Sequence, residues 1–143
     1  MIIDPSNEVK YRLKLAERYL IEARRAYRRR DYRETISYSQ LSAENSAKTI
    51  IAVFRIPSWS HDPSGELLDL LENLPENIRE NTIEIAEAAR ALAPEHGRSV
   101  YGEPLRGLTP WDIYNKEDAE KALKLAEKTF KKTIDVLNGL KIL

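Results

Sequence analysis

Residues 31–62 read DYRETISYSQLSAENSAKTIIAVFRIPSWSHD. Asp31 suits a helix N-cap, and Glu34, three residues on, has the spacing of a capping box. Ile36, Ala43, Ala47, Ile50 and Phe54 then fall on one stripe at helical period, predicting a helix that runs to about Arg55. Ser39, Ser42, Ala43, Ser46 and Ala47 are small enough to let another helix approach closely. Glu44 and Lys48 are four apart and share a face, which Asn45 adjoins. A polar patch between apolar stripes is costly to bury unless it is hydrogen-bonded. It therefore closes a structural network or faces a cleft. Pro57 halts the helix, and a short aromatic loop leads to His61-Asp62.

Upstream, Val9, Leu13, Ala16, Leu20, Ala23 and Tyr27 step by four and three, predicting a helix over 9–30. Downstream, a Leu-rich segment predicts a short helix near 64–73. Pro75 can open the next helix, because its missing N–H is not needed there. That helix, about 76–93, buries Ile78, Ile85, Ala89 and Leu92. It turns Glu76, Glu80, Glu84 and Glu87 to the other side, and Pro94 ends it. Residues 94–115 hold three Pro and three Gly and read as a long loop, the kind of segment that often carries function. Asn115 can cap the last helix, with Glu117 and Asp118 in its first turn. Ala119, Leu123, Ala126, Phe130, Ile134 and Leu137 form its stripe, and Gly139 is a stop. The pattern is all-α: four main antiparallel helices plus a short one, in a single domain over 1–143.

The chain has 143 residues and no net charge, so no global field draws it to nucleic acid. The charge is segregated: +5 over 1–60, −7 over 61–103 and +2 over 104–143. The absence of Cys excludes disulfides and thiol chemistry. No apolar run reaches a membrane span, and no signal peptide pattern opens the chain. The expectation is a cytoplasmic protein. No phosphate-binding Gly-rich loop occurs. The only two His, far apart in sequence, predict no metal site, and no cofactor is expected.

Ala43, Glu44, Ala47 and Lys48, then His61-Asp62, then Leu67, Leu68, Leu70 and Leu71 follow one another as in the HEPN family. Those are small helical domains linked to nucleotide or RNA binding. The resemblance covers roughly residues 8–139, the core of the domain, and implies an up-and-down HEPN-like bundle with a long loop before its last helix. It also implies a homodimer. In one branch the domain accompanies a minimal nucleotidyltransferase in a toxin–antitoxin-like pair. That branch often carries Arg-Tyr-Pro or Arg-Tyr-Gly before the last helix. Here the stretch is Arg98-Ser99-Val100-Tyr101-Gly102, interrupted by two residues.

The nuclease branch carries Arg, four to six residues, then His, near the start of the final helix. Arg55 to His61 and Arg90 to His96 fit the bare spacing. Neither fits the context, since Ile56 and Ala91 follow the Arg and neither pair lies at the final helix. The reading is therefore a non-catalytic nucleotide- or RNA-binding domain. Its expected site is the groove between the second helix and the 94–115 loop. Lys48 and Arg98 would meet phosphate there, with Asn45 and Tyr101 nearby. One alternative is a metal-independent endoribonuclease toxin acting through Arg90 and His96. Another is a structural protein-interaction module.

Several residues have two readings. Arg98 can bind phosphate or serve the loop, and Tyr101 can stack on a base or pack the loop down. Asp62 before Pro63 can make an Asx turn, and His61 can anchor the loop. The run RRAYRRRDYR over 24–33 can bind RNA phosphate. It can equally complement a helix C-terminus or pair with the acidic 76–87 face.

Overall fold

The computed structural model describes residues 5–143, so the first four positions of the 1–143 domain lie outside it. Four long helices form the bundle: α1 (Pro5–Arg28), α2 (Tyr32–Ala52), α4 (Arg79–Leu92) and α7 (Lys116–Gly139). Three short helices join them: α3 (Ser64–Leu68), α5 (Glu95–Tyr101) and α6 (Pro110–Ile113). Among the described residues there is no strand, only an isolated bridge between Glu103 and Leu108.

α2 is the central element. Every residue from 42 to 52 is buried, so its small residues meet neighbours on all sides. Ser42 donates to the Ala16 carbonyl of α1 at 2.8 Å, a contact that only a short side chain allows. One core sits between α2, α3, α4 and α7, with Ile50, Ile51, Leu67, Leu74, Ile85 and Val136. Each such aliphatic side chain contributes roughly 1.5–3 kcal/mol of burial. A second group, Leu20, Ala23, Leu123 and Ala126, fastens α1 to α7.

The caps behave as their spacing dictates, with one change. Asp31 accepts from the Glu34 N–H at 3.0 Å, but the Glu34 carboxylate turns to Arg29 instead of closing the box. At α7 the box is complete: Asn115 accepts from the Asp118 N–H and Asp118 accepts from the Asn115 N–H. α2 stops at Ala52, short of Arg55, so Phe54 drops off the stripe onto the surface. The short helix near 64–73 breaks into α3 and a single 3-10 turn at Leu71–Asn73. After Pro75 one 3-10 turn precedes α4.

The 94–115 segment is not a plain loop. Pro94 ends α4 but also leads directly into α5, since the ring is as compatible with a helix start as with a stop. A 3-10 turn at Pro104–Arg106 and α6 follow. Gly102 makes this folding-back possible. Its φ is +69°, and a Cβ there would lie 2.2 Å from the Leu108 carbonyl oxygen. Gly139 has a packing reason beyond helix termination, because a Cβ would lie 2.5 Å from Ile78 Cγ2.

Candidate functional site

The polar face of α2 closes into a network. Glu44 is buried and accepts three contacts: Lys48 Nζ at 3.1 Å, Gln40 Nε2 at 3.1 Å and His61 Nδ1 at 3.0 Å. Gln40 Oε1 contacts His96 Nδ1 at 3.0 Å, and an amide oxygen only accepts, so His96 carries its proton on Nδ1. The two imidazoles then stack, with centroids 3.6 Å apart and planes 19° from parallel. Three elements assemble this pair: α2 supplies Gln40, Glu44 and Lys48, the loop before α3 supplies His61, and α5 supplies His96.

The loop that brings His61 is fixed locally. Asp62 makes the Asx turn by accepting from the Ser64 N–H at 3.1 Å. Arg90 Nε of α4 donates to Ser64 Oγ at 3.1 Å, tying α4 to the same loop. His61 thus anchors the loop through Glu44 and remains half exposed at the surface. His96 lies within α5 and is partly buried. Its pKa is lowered, first by burial, then by His61 and by Lys48, with Glu44 opposing.

Separation in sequence was a poor guide to these two histidines. Glu44, His61 and His96 each offer a ligand atom, all within 4.8 Å of one another. The donor set nevertheless suits a metal cation poorly. Lys48 already holds a positive charge against Glu44, and both Nδ1 atoms are committed to α2.

The other expected site residues are dispersed. Asn45 is buried, donates to the Leu41 carbonyl and accepts from Arg12 at 3.3 Å. Arg98 pairs with Glu95 at 2.6 Å and Glu103 at 2.7 Å and lies over the Tyr114 ring. Glu103 and Glu95 hold the guanidinium pKa up, and Arg98 and Arg106 hold that of Glu103 down. Burial, then the hydrogen bond to Glu95, pushes the Tyr114 phenol up. Arg98 does line a cleft of about 350 Å3 with Ile36, Tyr114 and Lys121, but Lys48, Asn45 and Tyr101 do not. Tyr101 is 72% exposed and does not pack its loop onto the bundle.

The basic run does not meet the acidic face of α4. Arg24 pairs with Glu127 of α7, Arg25 with Glu22 and Arg29 with Glu34. Glu84 of α4 pairs instead with Lys132. Gln40 was missed by sequence reading, although it stands four residues before Glu44 on the same face.

An all-α bundle whose second helix presents a Glu–Lys pair to a following His-Asp loop agrees with the HEPN resemblance of the sequence. The HEPN domain family model matches residues 9–136, and the chain belongs to that family. No curated protein and no solved structure matches the chain. No helix among the described residues is long and apolar enough to cross a membrane.

Proposed function

We propose that this domain binds nucleotide or RNA by a phosphate group at the His61–His96 pair, without chemistry, as a homodimer that accompanies a minimal nucleotidyltransferase. The single observation that carries the site is the orientation of the two rings. Both Nδ1 atoms are held inward by Glu44 and Gln40, and among the described residues no hydrogen bond reaches either Nε2. An imidazolium that keeps Nδ1–H on a carboxylate has Nε2–H left for a phosphate oxygen, a charge-assisted bond. Two stacked rings repel each other when both are protonated, and an anion offsets that repulsion. Lys48 and Asn45 act beneath this surface, Lys48 as the counter-charge that fixes Glu44. Arg98 is neutralised by two carboxylates, while Tyr101, on the same short helix as His96, has its ring free for a base.

The test is anisotropy of labelled ATP and of a short single-stranded RNA between pH 6 and 8. Affinity rises as pH falls, because the phosphate favours the protonated form of His96, whose pKa burial lowers. His61→Ala and His96→Ala each lower it at least about tenfold, the scale of one charge-assisted hydrogen bond. Unchanged affinity in both variants would remove the site.

A second reading, RNA cleavage through the 2′-hydroxyl, is favoured by one observation. His96 is biased to the neutral form with a free Nε2, a base beside a second imidazole that can act as acid. Cleavage of a mixed RNA pool without metal, lost in His96→Ala and Arg90→Ala, would establish it in place of the non-catalytic reading.

A further inference from the structure

The basic end of the bundle carries an aromatic that the network above does not use. Trp111 of α6 is 71% exposed, an unusual place for so large an apolar ring. The Arg33 guanidinium lies over it, 5.4 Å from the ring centroid. Arg33 Nη1 donates to the Ser99 carbonyl at 2.8 Å, while its Nε is buried with no partner. A cleft of about 360 Å3 opens there, lined by Arg29, Arg30, Arg33, Trp111 and Tyr114 among others. Arg28 and Arg30 are exposed and make no ion pair among the described residues. Three nearby carboxylates are already engaged: Glu34 pairs with Arg29, Asp31 accepts from Glu34 N–H, and Asp112 accepts from Thr109.

This platform is in register with the histidine pair. Arg33, Gln40, Glu44 and Lys48 stand at i, i+7, i+11 and i+15, one stripe of α2. Arg33 reaches Ser99 and Gln40 reaches His96, so the same α2–α5 seam joins both places. Eleven residues at 1.5 Å separate Arg33 from Glu44, roughly 16 Å along the helix. A nucleoside monophosphate is too short to occupy both ends of that distance, whereas a strand of a few nucleotides can. An exposed ring beside unpaired guanidinium groups is the arrangement that holds single strands, by stacking and by backbone charge.

We propose that Trp111, with Arg28, Arg30 and Arg33, is a second contact for single-stranded RNA. One base stacks on Trp111, and the flanking phosphates lie on the arginines. This deepens the function proposed above and rests on it for the other end of the strand, whose phosphate sits at His61 and His96.

The experiment uses the full chain in a Trp59→Phe background, so that Trp111 is the only tryptophan. Oligouridine is titrated while tryptophan emission and labelled-RNA anisotropy are followed, with ATP in parallel. Oligouridine quenches the emission. Trp111→Ala weakens RNA binding by roughly five- to hundredfold and leaves ATP affinity unchanged. Arg28→Ala with Arg30→Asn lowers the slope of log affinity against log salt by about 1.4. Asn is chosen at position 30 because Arg30 has a left-handed φ of 64°. RNA affinity unchanged in Trp111→Ala but lost in His61→Ala overturns this contact and spares the histidine site. Loss in Trp111→Ala with no effect of His61→Ala on either ligand keeps this contact and overturns the histidine site. A change of solution mass in Trp111→Ala with RNA affinity kept overturns it and gives the face to a second copy of the chain.

Discussion

Lys48 shows how one residue can serve a site without touching its ligand. Its ammonium is buried against Glu44, and Glu44 in turn aligns His61. The worth of such a pair is asymmetric. Removing one member strands a buried charge, whereas replacing both by apolar groups is close to neutral. Lys48→Ala is therefore expected to lose about 3 kcal/mol in urea denaturation, the lower end for a broken buried pair, because Gln40 and His61 still reach Glu44. The double variant Glu44→Leu, Lys48→Met should be less destabilised than Lys48→Ala alone. A single variant within about 0.5 kcal/mol of the parent would mean that the pair is solvated and the network is not what holds His61.

At the scale of the element, α5 and the fold-back that follows it decide where His96 and Trp111 stand. The turn depends on Gly102, whose φ of +69° and close approach to the Leu108, Thr109 and Pro110 backbone leave no room for a side chain. The bridge between Glu103 and Leu108, with hydrogen bonds of 2.8 and 3.1 Å, closes directly after it. Gly102→Ala should cost about 1–3 kcal/mol from the dihedral alone and more from the backbone clash. Amide exchange of residues 103–110 should accelerate. Gly107 is the control: its φ is also +69°, but a Cβ meets nothing within 4 Å, so Gly107→Ala should cost only about 1 kcal/mol. Equal effects of the two substitutions would show that the fold-back does not rely on the contact at Gly102.

Over the whole molecule the charge segregation resolves into local pairs and two surfaces. Ion pairs such as Arg24–Glu127 and Lys132–Glu84 stitch α1 and α4 to α7. The uncompensated positive charge gathers where α1 ends, and Phe54, Ile56 and Trp59 are exposed where α2 ends. With the homodimer proposed above, light scattering at micromolar concentration should give about twice the chain's 16.5 kDa. The mass should fall on dilution, because such assembly follows concentration. A single species at 16.5 kDa across that range would exclude the homodimer.

The sequence by itself determined the four long helices, the Asp31 and Asn115 caps and the family. Stripes at three and four, Asp31 with Glu34, and Asn115 with Asp118 are contacts between near neighbours, so local spacing carries them. The Glu44–Lys48 pair and the His61 loop were legible for the same reason. α5 was not, because seven residues opened by Pro94 and containing Gly97 have little helix propensity of their own. Their order comes from Arg33 on the Ser99 carbonyl, Gln40 on His96, and Arg98 between Glu95 and Glu103. Only the tertiary structure could stack His61 on His96, thirty-five positions apart, or set Arg33 over Trp111. Such meetings depend on which faces of α2 the neighbouring elements cover, and no periodicity along the chain encodes that.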